Sequence, residues 1–303
     1  FFVGGLLLDY LDSPYGRPVV VAGWVLFAAF WAVLIYPWFA IDQSVIRGVG
    51  AVAAVPLSLL VAKTLHEGRE SLFTLTRAIS IMGLVYAPFV VFTALRKWLV
   101  LVVVAHTAWA MSLVGYDPPV VTHLSEVGVG REIQGKEFAF ENTFVFFQDG
   151  GGTITYTIVL ACTGIGSMAV IVGLVAAVRA SPWRKARALA IALPIIYGLN
   201  IVRNVLIGVS FGHQYMHFFP DATMFVFGLD NELMVSYIWV DRILAQSLSV
   251  VAMVVIFWLV LHEVPEVLRP VEDVLYILTG TDYDLVGALD LEARTSGDLE
   301  PAD

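Results

Sequence analysis

Residues 187–209 read RALAIALPIIYGLNIVRNVLIGV. The run is long enough to cross a bilayer, which takes roughly 20 mainly apolar residues in a helix. Inside it stands Arg203, between Asn200 and Asn204. A cation is expensive in hydrocarbon and persists there mostly beside a partner, a cavity or a reaction site. The apolar runs on either side sharpen the point. Run 154–178 holds Cys162, the only cysteine of the chain, and run 239–261 holds Arg242 just after Asp241. A thiol beside guanidinium groups has its thiolate favoured by their charge. The expectation is a membrane-embedded cysteine enzyme.

Composition agrees with the membrane reading. The 303 residues are 59% hydrophobic and 14% charged, with a mean hydropathy of +0.83. A soluble domain would carry about a quarter charged residues. Seven apolar segments are read, at 19–41, 46–62, 78–95, 98–115, 154–178, 187–209 and 239–261. The apolar stub Phe1–Leu8 reads as the end of a further span, and is too short for a signal peptide. The fold class is therefore an all-α polytopic membrane protein of about eight transmembrane helices, the first truncated or short. The second segment contains Gly48, Gly50 and Pro56 and is expected to be kinked or partly re-entrant.

The domain reading is a transmembrane catalytic domain over 1–262, with the outer loop 116–153 inserted, and an acidic cytoplasmic tail over 263–303. Basic residues set the orientation. Arg179, Arg184, Lys185 and Arg187, and likewise Arg96 and Lys97, mark cytoplasmic turns. Loops 116–153 and 210–238 then fall outside, as must 63–77, although Lys63, Arg69 and Arg77 speak against it. In the outer loop the Phe- and Val-rich segment Phe138–Phe147, followed by Gly150-Gly151-Gly152, reads as a short hairpin. In the tail, Val271, Val274, Leu275 and Leu278 predict a small amphipathic helix on the inner leaflet, closed by Gly280.

The net charge is −9, and only 4 of the 17 basic residues are lysine. Such a balance suits a high-salt cell and argues against nucleic acid as a partner.

Counted from the outer ends of their runs at 1.5 Å per residue, Cys162 lies ~12 Å deep, Arg203 ~9 Å and Arg242 ~5 Å. Three consecutive antiparallel helices would bring them to one outer layer. Tyr197, Asn200, Arg203 and Asn204 form a stripe at helical spacing. Thr163, Gly164, Gly166 and Ser167 around Cys162 let helices approach closely, and Asp241 supplies a counter-charge. Singly, each has a plainer reading. A lone cysteine in an apolar helix is usually a small hydrophobe, Arg242 could snorkel, and Arg203 could be a structural ion-pair partner. The conjunction carries the argument.

The segments Ala161-Cys162-Thr163-Gly164-Ile165 and Asn200-Ile201-Val202-Arg203-Asn204, with Arg242 in the following span, resemble the exosortase/archaeosortase family. In order and spacing they are most similar to the archaeosortase A-like members of haloarchaea. The resemblance implies a multi-spanning transpeptidase in the cell membrane with its site near the extracellular face. Its partners would be surface glycoproteins with a C-terminal signal: a Pro-Gly-Phe-like motif, an apolar helix and a basic tail. A membrane lipid would be the acceptor, reached through a thioester on Cys162. The implied site is Cys162 as nucleophile, Arg203 for the thiolate and oxyanion, and Arg242 where most exosortases have histidine. No histidine base is thereby assigned. His213 and His217, just past the sixth segment, are candidates, and no histidines have metal-ligand spacing. No cofactor is expected.

Three other classes remain. A transporter or channel could bind an anionic substrate through Arg203 and Arg242, and would not need Cys162. A serine protease using Gly166-Ser167 would need His106 as its partner. A structural scaffold would use the arginines only for internal pairs.

Overall fold

The computed structural model describes residues 1–11, 13–41, 45–130, 132–133, 140–148 and 151–289. The acidic end 290–303 and parts of the expected hairpin segment (138–139 and 150) lie outside the described residues.

The helices in chain order are α1 (Phe2–Tyr10), α2 (Gly16–Tyr36), α3 (Val45–His66), α4 (Leu72–Val91) and α5 (Thr93–Leu113). After a β-sheet come α6 (Ile165–Ala177), α7 (Pro182–Gly212), α8 (Pro220–Phe227), α9 (Met234–Tyr237), α10 (Gln246–Glu263), α11 (Leu268–Thr279) and α12 (Leu285–Ala288). Many of these sequences are rich in Val and Ile, which favour strands in water. In hydrocarbon a lone segment satisfies its backbone only as a helix. Pro56, Pro88 and Pro194 sit inside α3, α4 and α7. Membrane helices tolerate such residues because neighbouring groups satisfy the freed carbonyls.

Six helical stretches among the described residues are long and apolar enough to cross a membrane: Gly16–Ile41, Arg47–His66, Leu72–Val91, Thr93–Leu113, Pro182–Gly212 and Met234–Glu263. The chain is thus an all-α multi-span membrane protein, with six of the expected spans present at full length among the described residues. The second segment is an unbroken helix of spanning length rather than a re-entrant one. The fifth segment, expected as one helix over 154–178, divides into a strand, a 3-10 turn at Leu160–Cys162 and the short α6. At 1.5 Å per residue α6 is only ~20 Å long.

The chain forms two compact units. The first contains 1–85, 169–192 and 257–303. Its core is Val20, Trp24, Val61, Leu65, Leu72 and Phe73, crossed by a buried hydrogen bond from Trp24 Nε1 to Thr76 Oγ1 (3.0 Å). Here α1 lies on α2 because Gly5 and Gly23 leave room for Val20 and Phe2. The amphipathic helix expected at 271–279 is α11, closed by Gly280 at φ +72°. It docks on the protein itself: buried Asp273 accepts hydrogen bonds from Arg69 (3.3 Å) and Ser71 (2.6 Å).

The second unit contains 86–168 and 193–256. It holds a three-stranded antiparallel sheet of β1 (Val120–Val121), β2 (Thr143–Phe147) and β3 (Thr153–Thr157), in that order. A hairpin is thus present, with its second strand taken from the segment expected to enter the membrane. Phe144 faces Tyr156, and Phe146 faces Ile154. Ile154 and Tyr156 are buried while the three threonines of β3 are half-covered, the period-2 pattern of a strand. The sheet packs on α7 at two glycines one turn apart. A Cβ on Gly208 would stand 2.5 Å from Met111 and 3.1 Å from Tyr156, and one on Gly212 would overlap the Phe146 ring.

The expected alternation of sides fails twice. In the first unit Arg77, placed outside by the count, donates to the Ala177 carbonyl (3.3 Å) beside the basic turn, and Arg69 joins Asp273 and Asp282 of the C-terminal segment. In the second, Lys97, placed in the cytoplasm, lies 5.6 Å from the ring of Phe140 in the segment expected outside. The reason is local. A single extended residue, Phe92 (φ −95°, ψ 107°), separates α4 from α5, and 154–178 is not one helix. Counting apolar runs therefore miscounts crossings.

Candidate active site

Cys162 ends the 3-10 turn that joins β3 to α6, and belongs to no spanning helix. Asn142 fixes the strand side of this turn: its Nδ2 donates to the Ile158 carbonyl (2.7 Å), and its own carbonyl accepts from Ile158 N (2.9 Å). Thr163 fixes the helix side. Its hydroxyl donates to the Leu160 carbonyl (2.7 Å) and accepts from Ile165 N (3.4 Å). Gly164 then takes φ +78°, and a Cβ there would stand 3.1 Å from Asn200 Cγ. Both the left-handed backbone and the close neighbour call for glycine. Gly166 has open space instead. A tight strand-to-helix turn holds a nucleophile clear of the elements on either side.

The stripe on α7 meets this turn. Asn200 and Asn204 each donate from Nδ2 to the Cys162 carbonyl, at 2.8 and 2.9 Å, filling both its lone pairs. Asn204 is fully buried and accepts from the Tyr156 hydroxyl (3.2 Å). The asparagines therefore hold the backbone of the cysteine rather than line an open cavity.

One helical turn onward, Arg203 pairs with Asp241 at 2.6 Å. The other carboxylate oxygen of Asp241 lies 3.7 Å from Arg242 Nε. Asp241 is 9% exposed, against 24% for Arg203 and 17% for Arg242. Asp241 and Arg242 lie in a π-helical stretch, Ile238–Ala245, between α9 and α10. Such wide turns re-aim side chains and are frequent at functional sites. The Arg242 guanidinium also lies 5.7 Å from the Tyr237 ring. The structure thus brings together Cys162, Asn200, Asn204, Arg203, Asp241 and Arg242 within one unit.

Three predicted candidates go elsewhere. The Tyr197 hydroxyl is 2.6 Å from His106 Nδ1. His213 sits in a nest of Tyr116, Phe146 and Tyr215, with ring centres 5.0 to 5.5 Å away, and His217 meets Glu232 at 3.1 Å. Conversely, the sequence reading missed Tyr156, whose hydroxyl donates to Asn204 Oδ1 (3.2 Å), the same side chain that holds the Cys162 carbonyl. The alternation of Thr153-Ile154-Thr155-Tyr156-Thr157 was the available signal.

Burial and the neighbouring charges act on the Cys162 thiol in opposite directions. Burial pushes it up; the Val159 backbone, the Arg203 charge, in the expected direction, and the Tyr156 hydroxyl work against this, and the Asp241 carboxylate adds to it. Burial also drives Tyr156 well above the usual phenol range, so it remains a hydrogen-bond donor.

A sequence model of the transmembrane exosortase family matches residues 1–231. The chain belongs to the exosortase family. This family member is 43% identical over 301 residues to a protein of Haloferax volcanii named Archaeosortase A, with 96% of this chain and 95% of that one covered. It is 35% identical over 287 residues to the Archaeosortase A of Natronomonas pharaonis, with 94% and 87% covered. No solved structure matches. The exosortase family match spans the turn at Cys162 and the stripe on α7.

Proposed function

We propose that this exosortase-family protein is a multi-pass plasma-membrane cysteine transpeptidase, with 1–262 as its catalytic part. It removes a C-terminal sorting signal from surface proteins and passes the new C-terminus to a lipid-derived nucleophile. The observation that carries this is a cysteine on a strand-to-helix turn, clamped through its own carbonyl by Asn200 and Asn204, beside the Arg203–Asp241 pair. The relatives named Archaeosortase A support a sorting role. The extracellular placement of the site rests on loop charge in the sequence: the turn holding Arg179, Arg184, Lys185 and Arg187 reads as cytoplasmic, and 210–238 carries no Lys or Arg.

The Cys162 sulfur attacks the peptide carbonyl before the substrate's membrane anchor. The carbonyl π electrons move to oxygen, and Arg203 stabilises the oxyanion. Collapse re-forms the carbonyl and breaks the C–N bond. The anchor leaves as an amine carrying the proton that the Cys162 thiol gives up, and a thioester remains. A lipid-borne nucleophile attacks the thioester and displaces the sulfur. Burial opposes ionisation of the Cys162 thiol, so its proton is lost as the sulfur attacks. Tyr156 can then turn its hydroxyl from Asn204 toward the forming thiolate. Arg242 shares the Asp241 carboxylate and is placed to hold a second substrate oxygen. Arginine is no proton acceptor at a pKa above about 12, so the acceptor's proton goes elsewhere than to Arg203 or Arg242.

A small competing nucleophile tests the thioester. With hydroxylamine added to membranes containing a tripartite-signal substrate, the released substrate should carry a C-terminal hydroxamate with the wild type and none with Cys162→Ala. Hydroxamate formed equally by Cys162→Ala would refute the proposed chemistry.

A further inference from the structure

The first unit contains a cavity that takes no part in the proposed chemistry. It is open, about 660 Å³ in volume, and lies where α6 ends and α7 begins. Its charged lining is Arg77, Arg179, Arg184, Lys185 and Glu266, four cations against one carboxylate. Arg184 is already committed: its guanidinium meets both oxygens of Glu266 at 2.8 and 3.2 Å, and its Nε donates to the Glu263 carbonyl. The other three cations are not neutralised by the lining. Arg77 donates to the Ala177 carbonyl (3.3 Å) and Lys185 to the Ala176 carbonyl (3.1 Å), which orients both without cancelling either charge. Arg179 is exposed and makes no ion pair among the described residues. Arg77 and Arg179 also line an adjoining cavity of about 400 Å³ together with Arg269, Asp9 and Glu70, the last already paired with Arg17 at 3.0 Å.

The carbonyls at the end of α6 would repel an anion, but these two are occupied by Arg77 and Lys185. The start of α7 contributes the positive end of a 31-residue helix. Three unbalanced cations beside a helix N-terminus suit a phosphate group with its several acceptor oxygens. The depth suits a lipid. Both helices are apolar, and Trp183, 72% exposed at the first turn of α7, has the amphipathic ring that gathers at the headgroup level. Basic pockets between membrane helices on the cytoplasmic side take anionic headgroups.

We infer that the cavity at the α6–α7 turn, lined by Arg77, Arg179 and Lys185, binds the phosphate of an anionic lipid headgroup. It is a site separate in composition from the acceptor of the transfer reaction, since it shares none of the residues around Cys162. The same phosphate chemistry could come from a free anion, and the experiment below tells the two apart.

The full chain, purified in mild detergent, is titrated with phosphatidylglycerol or phosphatidylcholine, and retained lipid is read by native mass spectrometry. Thermal unfolding is followed in parallel with inorganic phosphate. The wild type should retain phosphatidylglycerol in preference to phosphatidylcholine. At roughly fivefold per surface cation removed, Arg179→Gln should retain it about fivefold less tightly and Arg77→Gln/Arg179→Gln about 25-fold less. If the double variant does not fold, Arg179→Gln decides, because that side chain makes no ion pair among the described residues. Arg77→Lys/Arg179→Lys should keep most of the binding. Stabilisation by inorganic phosphate, lost in Arg179→Gln and without a preference between the lipids, keeps the phosphate site and overturns the lipid as its source. Equal retention of phosphatidylglycerol by wild type and Arg179→Gln, with no effect of phosphate, overturns the site.

Discussion

Asp241 is the shared anion of the site, and replacing it separates its two effects. Its carboxylate is almost buried and joins Arg203 at 2.6 Å and Arg242 at 3.7 Å, both guanidiniums being mostly covered. Removing one partner of such a buried pair costs about 3–5 kcal/mol, because the remaining charge stays desolvated. Asp241→Ala should therefore lower the unfolding temperature in detergent by several degrees. Asp241→Asn keeps an acceptor for Arg203 and should cost less, about 1–3 kcal/mol. Processing of a co-expressed substrate should fall in both variants. If Arg203 loses its aim at the oxyanion, the loss is that of one donor, roughly 10²–10³ in rate. The thiol should move the other way. The Asp241 charge raises the Cys162 pKa and the Arg203 charge lowers it, so Asp241→Asn should lower it and speed alkylation by iodoacetamide at fixed pH. A variant that alkylates faster yet processes slower carries the signature of this arrangement. Unchanged alkylation, processing and melting temperature in Asp241→Asn would refute the reasoning.

Other consequences follow from the same contacts. Wild-type alkylation should still be climbing above pH ~8.5, the ordinary thiol value, because burial pushes the Cys162 thiol up; a plateau near neutral pH would contradict that direction. Gly164→Ala meets both a left-handed backbone, worth about 1–2 kcal/mol, and the Asn200 side chain at 3.1 Å, so processing and melting temperature should both fall, whereas Gly166→Ala should leave both near wild type. Asn204→Ala removes one donor from the Cys162 carbonyl and the acceptor of the Tyr156 hydroxyl, at about 1–3 kcal/mol; it should lower the melting temperature more than Asn200→Ala. Arg242→Lys should turn over slowly if fork geometry matters, and normal turnover would show that charge alone suffices. His213→Ala, in its aromatic nest, should process substrate normally.

The membrane character and the polar stripe on α7 were legible because each rests on a simple signal. Arg203 stands in an apolar run with Asn200 and Asn204 at helical spacing, and that stripe does meet the Cys162 turn. The path of the chain through Cys162 was not legible from apolar length. The run from Ile154 to Val178 is as apolar as a span, yet Gly164 and Thr163 stop it from being one helix, and its first five residues alternate as a strand. Once the cysteine moves from a helix to a turn, depth counted along that helix loses its meaning. The Arg203 charge near the thiol was legible in the sequence, but the burial that opposes it comes from packing against a core that includes Tyr156. The π-helical stretch that presents Asp241 and Arg242 leaves no mark in the residue pattern. The sidedness of Arg69 and Arg77 was misjudged because every apolar run was counted as a crossing. The residues themselves held the contrary signal, since cations gather on one side.

The central claim is thiol-dependent transfer, and intact mass of a co-expressed membrane protein bearing the tripartite C-terminal signal tests it most directly. With the wild type the substrate should lose its C-terminal helix and gain a lipid-sized mass, and with Cys162→Ala it should remain whole. Identical substrate masses with the two proteins, both well expressed, would contradict the account.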